Sequence, residues 1–284
     1  MILGLVGSEM CIRDSLWNQV LKFAETTTFR VGNQLLKDFG NVKADEKADG
    51  SLVTKSDRWA DRTIREAIAS TFPSHGILTE ESQQIFPSNE WCWIIDPLDG
   101  TTNFTKGVPI WGTSMGLFYR GTPMFGYVNL PPLRQSYYGF YYQENQTYLN
   151  NPPITRAFLN NRQINPIQDI ISGNHLFNLC SRSTKILPQL PTKIRMLGMA
   201  SYNFLLVASG ASIGGVEATP KIWDIAGSWV IAKAAGAIWI PLGSGDIFPL
   251  KIGKDYLNHP FPALVVGNEK LVPYFLPIVE PLRK

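Results

Sequence analysis

Cysteine and histidine are scarce in this chain, and where they stand excludes several chemistries. The 284 residues hold three cysteines, Cys11, Cys92 and Cys180, with no spacing that would ligate a metal. An odd, sparse set predicts reduced thiols and a cytoplasmic protein rather than a disulfide framework. The triplets Asn103-Phe104-Thr105 and Asn145-Gln146-Thr147, which resemble glycosylation acceptors, are then chance matches. The three histidines, His75, His175 and His259, are scattered and lie in none of the motifs below, which argues against a histidine nucleophile or base. No apolar run reaches the roughly 20 residues of a membrane span. No clear polybasic run accompanies the formal charge of +3 and the isoelectric point near 8.7. That balance suits a small anionic substrate and gives no case for nucleic acid. What remains, 44% hydrophobic and 17% charged residues, is an ordinary globular composition with enough chain for a substantial core.

The first residues stand apart. Met1 to Val6 is too short for a signal h-region and has no basic n-region. Val6 to Ser15 reads as translated sequencing-adapter DNA, so residues 1–15 are expected to be a non-native leader. Removing them moves the formal charge from +3 to +4, because Glu9 and Asp14 outweigh Arg13.

The most informative segment runs from Trp93 to Phe104. Trp93 to Ile95 reads as a buried strand that delivers two carboxylates at its end. Pro97, with no N–H and a fixed φ, is expected to stop the ladder, and Asp96 and Asp99 then flank a bend with the Leu98 carbonyl between them. Gly100 permits close approach to the backbone, and Thr101 with Thr102 can open a helix whose first N–H groups meet an anion. Hard oxygen ligands beside an anion-binding turn point to Mg²⁺ and phosphate chemistry. An Asx-type turn favoured for local reasons is the alternative for Asp-Gly-Thr-Thr alone.

Three further segments bear on that choice. Glu80 and Glu81 follow the apolar Gly76 to Leu78, and alone would pass for a solvated pair. Leu52-Val53-Thr54 leads to Ser56 and Asp57, either of which could cap the amphipathic helix that follows. Trp223-Asp224-Ile225-Ala226-Gly227 opens another helix, where an acid also favours the macrodipole. Each has a bland reading alone; the four in this order do not.

Taken together, Lys47, Leu52-Val53-Thr54, Asp57, Glu80-Glu81-Ser82, Asp96-Pro97-Leu98-Asp99-Gly100-Thr101-Thr102-Asn103 and Trp223-Asp224-Ile225-Ala226-Gly227 resemble the inositol monophosphatase family of Mg²⁺-dependent, lithium-sensitive sugar phosphatases. The resemblance runs from about Leu16 to near the C-terminus and is looser from Tyr138 to Ile194. There the family's Gly-Ala-x-x-Asn-Gly turn is replaced by Gln143 to Asn151. It implies an α/β (α+β) fold, a layered αβαβα sandwich with an antiparallel sheet in the N-terminal half (16–150) and a mixed sheet in the C-terminal half (151–284). The Pro- and Asn-rich stretch Asn150 to Pro166 would be the seam.

The resemblance also implies the site. A first Mg²⁺ would use Glu80, Asp96 and the Leu98 carbonyl, a second Asp96, Asp99 and Asp224, and a third, weaker ion Asp57 and Glu80. Thr101, oriented by Asp57, would position the attacking water together with Glu80. Gly100 and Thr101 N–H groups would bind phosphate, and no phosphoenzyme would form. Gly198, Met199, Ala200, Glu217 and Asp224 would contact the hydroxyls of a phosphorylated polyol, with inositol 1-phosphate the leading candidate and a homodimer the expected assembly. Lys221, near Asp224, would bear on ring selectivity. For Glu217 the alternative is an acid on the surface at a strand end.

Elsewhere the spacing predicts helices over Leu16 to Phe39, Arg58 to Thr71, Ser181 to Leu187 and Ala200 to Ser209. Strands are expected at Gly76 to Thr79, Trp91 to Ile95, Ile170 to Gly173, Gly215 to Ala218 and Ala237 to Pro241, with a meander over Trp111 to Tyr142. A haloacid-dehalogenase-type phosphatase also shows Asp-Gly-Thr after a strand, but its nucleophile would stand at Pro97, which removes it. Relatives acting on fructose 1,6-bisphosphate, histidinol phosphate or 3′(2′),5′-bisphosphate nucleotides share the metal cluster and stay open, as does a non-catalytic phosphate-binding scaffold. Deleting residues 1–15 is expected to leave melting temperature and turnover unchanged. A loss of several degrees in a thermal melt would show that the segment packs.

Overall fold

The computed structural model describes residues 3–48, 50–142 and 152–283, with side chains from residue 16 onward. Helix α1 (Leu3–Asp38), a hairpin of β1 (Ala44–Glu46) and β2 (Leu52–Thr54), and helix α2 (Lys55–Thr71) precede the first large sheet. Its strands β3 (Gly76–Thr79), β4 (Trp91–Asp99), β5 (Gly112–Tyr119), β6 (Thr122–Leu130), β7 (Gln135–Phe140), β8 (Arg156–Leu159) and β9 (Arg162–Gln163) lie side by side in chain order, and α3 (Thr101–Thr105) sits between β4 and β5. β3 pairs parallel with β4, and every later pair is antiparallel. The expected meander is present.

The second sheet comprises β10 (Leu176–Leu179), β11 (Lys193–Arg195), β12 (Gly214–Glu217), β13 (Ile238–Pro241) and β14 (Ala263–Val266), in the order β11-β10-β12-β14-β13. Two junctions are parallel and two antiparallel, so this sheet is mixed. Helices α4 (Ala200–Ala208) and α5 (Ile222–Ala235) lie between the sheets, while α1 and α2 cover the free face of the first and α6 (Val272–Val279) that of the second. The layers are those of an αβαβα sandwich. Its apolar filling follows from sequence: Ala60, Ile64 and Ile68 recur at helical spacing and are buried under α2. β4 is buried from Cys92 to Asp99, as befits a strand covered on both faces.

Four local expectations are corrected. Ile170 to Gly173 is not a strand; Ile170 is 78% exposed, and pairing begins at Leu176, where Phe177 and Leu179 find an apolar layer. Ser181 to Leu187 belongs to a 3₁₀ helix, Ser181–Gln189, whose buried residues Ser183 and Ile186 are three apart, the 3₁₀ repeat. The cap of α2 is Thr54, one helical turn before Asp57: its Oγ1 accepts from the Ser56 and Asp57 N–H groups at 3.0 and 3.3 Å, and Asp57 Oδ2 accepts from the Thr54 N–H at 2.8 Å. Finally, Pro97 does not end β4. The ladder becomes irregular between Asp96 and Asp99 and resumes at the Asp99–Gly112 pair, while Thr113 Oγ1 donates to the Pro97 carbonyl at 3.0 Å. The expected departure at Gln143 to Asn151 lies outside the described residues.

Close approach of α5 to the first sheet depends on missing side chains. A Cβ at Gly126 of β6 would stand 2.2 Å from the Gly227 carbonyl oxygen, and one at Gly116 of β5 would stand 2.9 Å from Ala226. Glycine in a strand interior marks such an approach. Gly126→Ala is expected to cost about 1–3 kcal/mol by overpacking, measured by denaturant unfolding. Because α5 carries Asp224, the same variant should also bind divalent metal more weakly in a calorimetric titration.

Candidate active site

The irregular end of β4 brings its two aspartates to one point. Asp96 Oδ1 accepts from the Leu98 N–H at 3.0 Å, and Asp99 Oδ2 from the Ser201 N–H at 2.9 Å. Asp224, in the first turn of α5, reaches the same point while its Oδ2 accepts from the Lys221 N–H at 2.6 Å. Ligand oxygens of Asp96, Asp99 and Asp224 lie within 4.8 Å of one another. All three side chains are thus fixed by backbone N–H groups, with lone pairs to spare.

Thr101 and Asp57 form the next layer. Thr101 Oγ1 lies 3.1 Å from Asp57 Oδ1 and 3.0 Å from the Leu98 carbonyl oxygen, its two acceptors. Thr101 begins α3 behind Gly100, whose backbone is left-handed with φ +89°. A Cβ there would stand 2.9 Å from the Ile110 carbonyl oxygen, so packing as well as φ requires glycine. Glu80 lies just beyond β3 and outside the three-carboxylate group. Lys47 Nζ donates to Glu80 Oε1 at 2.8 Å and to Glu81 Oε1 at 2.7 Å, which ties both acids to the β1–β2 hairpin.

The electrostatics follow from crowding. Burial, then the charges of Glu80, Asp99 and Asp224, hold the Asp96 carboxyl well above its ordinary value. Burial, then Asp99 and Glu80, does the same to Asp224. Asp99 is raised by burial, against the opposing effect of the Ser201, Ala200 and Gly100 N–H groups, and burial likewise raises Asp57. Glu80 is pushed to about 7 by burial, with Lys47 opposing and Glu81 adding. Burial pulls the Lys47 ammonium down, and the two glutamates more than reverse it. An all-oxygen donor set whose charges lack enough cations fits a hard divalent ion.

A cleft of about 390 Å³ opens beside the cluster. Asp99, Asp224, Gly198, Met199, Ala200 and Glu217 all line it, whereas Gly100, Thr101, Asp57, Glu80, Asp96 and Leu98 do not. Glu217 is only 5% exposed, which rules out the surface-acid alternative. Burial raises it to about 7, opposed by a hydrogen bond from Asn203 and increased by Asp99. Glu80 lines a second cleft of about 670 Å³ with Lys47, Glu81, Gln84 and Trp223. Lys221 Nζ donates to the Leu257 carbonyl at 2.6 Å. His75 is committed to the core, where it accepts from Trp93 Nε1 at 3.1 Å and is lowered to about 4 by burial.

A model of the inositol monophosphatase family matches residues 16–271. The chain belongs to this family. Fructose-1,6-bisphosphatase/inositol-1-monophosphatase of Aquifex aeolicus is 29% identical over 267 residues, 84% of this chain and 96% of that protein. Inositol-1-monophosphatase of Rhizobium meliloti is 30% identical over 259 residues, 86% and 89% of the two chains. Histidinol-phosphatase of Chlorobaculum parvum is 29% identical over 220 residues, 76% and 83% of the two chains. The structure of a Thermotoga maritima IMPase superposes with a TM-score of 0.75 at 25% identity, covering 93% of this chain and 99% of that one. As a member of the inositol monophosphatase family, the chain is a phosphoric monoester hydrolase. The family uses divalent metal, for which Asp96, Asp99 and Asp224 offer a site. Among the described residues, no helix is long and apolar enough to cross a membrane.

Sequence reasoning missed three features. Asp99 also caps α4, through the Ser201 N–H. Asn203 and Arg182 line the cleft; the signal for Asn203 was one amide inside an apolar helix, and for Arg182 a cation just past the end of β10.

The acid cluster sets the pH dependence of stability. Glu80 holds its proton more tightly folded than at its ordinary 4.5. Between pH 4.5 and about 7 the folded state therefore binds more protons than the unfolded one, and stability falls as pH rises. Unfolding in EDTA should show that decline. A divalent cation, replacing the protons, should flatten or reverse it.

Proposed function

We propose that this phosphatase hydrolyses a polyol phosphate monoester, with inositol 1-phosphate, giving inositol and phosphate, as its leading substrate. The observation that carries the reading is that the cluster of Asp96, Asp99 and Asp224 reaches, through Asp99 and Asp224, the cleft that Glu217 lines. Phosphate belongs at the carboxylate end under magnesium, and a hydroxylated ring belongs against Glu217. Glu80, Asp96 and the Leu98 carbonyl would hold one Mg²⁺, Asp96, Asp99 and Asp224 a second, and Asp57 with Glu80 a third. Bound there, magnesium would neutralise the phosphoryl oxygens, acidify water and stabilise the leaving alkoxide.

The chain's own part is positioning and proton handling. The Thr101 hydroxyl donates toward Asp57 or Leu98, so its lone pairs can accept from a water, whose proton Glu80 would take by likeness to the family. The water oxygen would bond to phosphorus as the ester P–O bond breaks, and the departing alkoxide would take its proton from a solvent water, which is left as hydroxide. Gly100 and Thr101 N–H groups would receive the phosphate, although the Gly100 N–H also serves Asp99. A cytoplasmic homodimer, sensitive to lithium, completes the proposal by likeness to the family. The presence of all five acids, Asp57, Glu80, Asp96, Asp99 and Asp224, argues against a non-catalytic scaffold.

Arg182 favours a second reading. It is the one cation among the cleft-lining residues and makes no ion pair within 4.0 Å among the described side chains. It would suit a substrate with another anionic group, such as the fructose 1,6-bisphosphate named for the Aquifex relative. A panel of inositol 1-phosphate, fructose 1,6-bisphosphate, histidinol phosphate and adenosine bisphosphate at fixed Mg²⁺ separates these readings.

Asp99→Asn is expected to stay folded, because the amide oxygen can still cap α4. It should lose at least ten- to a hundredfold in turnover, the scale on which even outer-sphere partners of a metal act. Full activity of the unaltered protein in EDTA would sink the metal-dependent reading. Glu217→Gln should weaken inositol phosphate more than an aryl phosphate, by roughly tenfold for one hydrogen bond to a charged group. An equal loss on both substrates would assign Glu217 to the fold or the metals.

A further inference from the structure

We propose a second binding site, an aromatic cleft at the far end of α5 that takes a small aromatic zwitterion, with an aromatic amino acid as its simplest form. The cleft holds about 310 Å³ and is lined by Tyr141, Trp229, Lys233, Trp239, Asp246 and Phe248, together with three prolines. Lys233 follows Asp224 by nine residues on α5, roughly 13 Å along the axis at about 1.5 Å per residue. The cleft shares no lining residue with the one beside the carboxylates. The site is therefore separate from the phosphatase chemistry and does not depend on it.

Its walls meet close to right angles. The Trp229 ring lies edge-on to Tyr141, with centroids 5.4 Å apart and planes at 90°, and edge-on to Phe248 at 4.9 Å and 72°. Trp229, Tyr141 and Phe248 are each only half-buried, so apolar ring surface is left facing a concave space. Aromatic rings prefer offset-stacked or edge-on partners, and a corner of this kind offers a flat guest both at once. Trp229 and Lys233 stand four residues apart on α5, so one helix face brings an indole and an ammonium to the same cleft.

Two charges complete the site. Lys233 Nζ stands 6.0 Å from the centre of the Tyr141 ring, in the last turn of α5, where a cation suits the helix dipole. Neither contact supplies a counter-charge. Among the described residues Lys233 makes no ion pair, and Asp246 makes none either, although both line the one cleft. A cation and an anion that share a small space without pairing across it suit a guest carrying both opposite charges. The volume lies at the low end of the roughly 300–1,000 Å³ of small-molecule pockets, which fits one or two fused rings with a short polar arm rather than a peptide segment. The aromatic walls take the ring, Lys233 a carboxylate and Asp246 an ammonium. A ring phosphate fits less well, because Asp246 repels a dianion.

Calorimetric titration of the full chain tests this with four probes. L-Tryptophan has the ring, the carboxylate and the ammonium; tryptamine lacks the carboxylate, indole-3-propionate the ammonium and L-leucine the ring. Tryptophan should bind at least tenfold tighter than each of the others, the scale of one charge-assisted hydrogen bond or one buried ring. Lys233→Met keeps an apolar stem and should weaken tryptophan and indole-3-propionate about tenfold without weakening tryptamine. Lys233→Arg should retain the binding of all three. Asp246→Asn should weaken tryptophan and tryptamine and spare indole-3-propionate. No binding of tryptophan at millimolar concentration, equal affinity for all four probes, or tryptophan binding that neither Lys233→Met nor Asp246→Asn alters would each overturn the proposal.

Discussion

Mutual repulsion among Asp96, Asp99 and Asp224 is the constraint around which this molecule is organised. Three carboxylates gathered within 4.8 Å, with burial raising each one, oppose folding unless protons or a cation intervene. Among the described residues, no lysine or arginine forms an ion pair with them. Lys47 goes to Glu80 and Glu81 instead, and Lys221 turns to a backbone carbonyl. Backbone N–H groups from Leu98, Ser201 and Lys221 hold the aspartates in place. Such bonds fix geometry without supplying a full charge. The arrangement is a template that a hard dication completes.

The sandwich delivers this template from three chain segments. β4 supplies two acids at an irregular end, and α5 supplies the third because Gly116, Gly126 and Gly227 let it lie against the first sheet. α4 joins through Asp99, which accepts from the N–H of its second residue. That contact couples the metal side to the substrate side, since α4 begins with the residues lining the cleft and carries Asn203. The two ends of the site are consequently one mechanical unit. A change to Asp99 acts on charge and on the α4 cap together, which is why the amide substitution is more informative than truncation.

Much of this was legible in the sequence, for physical reasons. The segment from Trp93 to Phe104 combines a fully buried strand, two acids and a helix start, so few other structures could satisfy it. Asp224 announced itself as an acid opening an apolar helix. Less legible were features set by partners distant in the chain. Thr54 rather than Ser56 or Asp57 caps α2 because the reciprocal bond with Asp57 requires their spacing of three. The strand expected at Ile170 lies instead at Leu176–Leu179, since pairing with β11 and β12 decides where the apolar alternation is used. Glu80 was read with Asp96 and the Leu98 carbonyl at one ion and with Asp57 at another; what the sequence did not show is the Lys47 ammonium on its carboxylate. The buried amides Asn178 and Asn203 were visible only as single polar residues in apolar runs. Nothing local distinguishes them from helix or strand interiors until both are seen to converge behind Glu217.

The central claim is that the aspartate cluster is a divalent-cation site facing the substrate cleft. Anomalous diffraction from crystals of the full chain soaked in millimolar Mn²⁺ tests it most directly. The account predicts a strong peak between Asp96, Asp99 and Asp224, with oxygen ligands at the distances a small hard dication takes. No peak there, with oxygens of the three carboxylates still within 4.8 Å of one another, would contradict it.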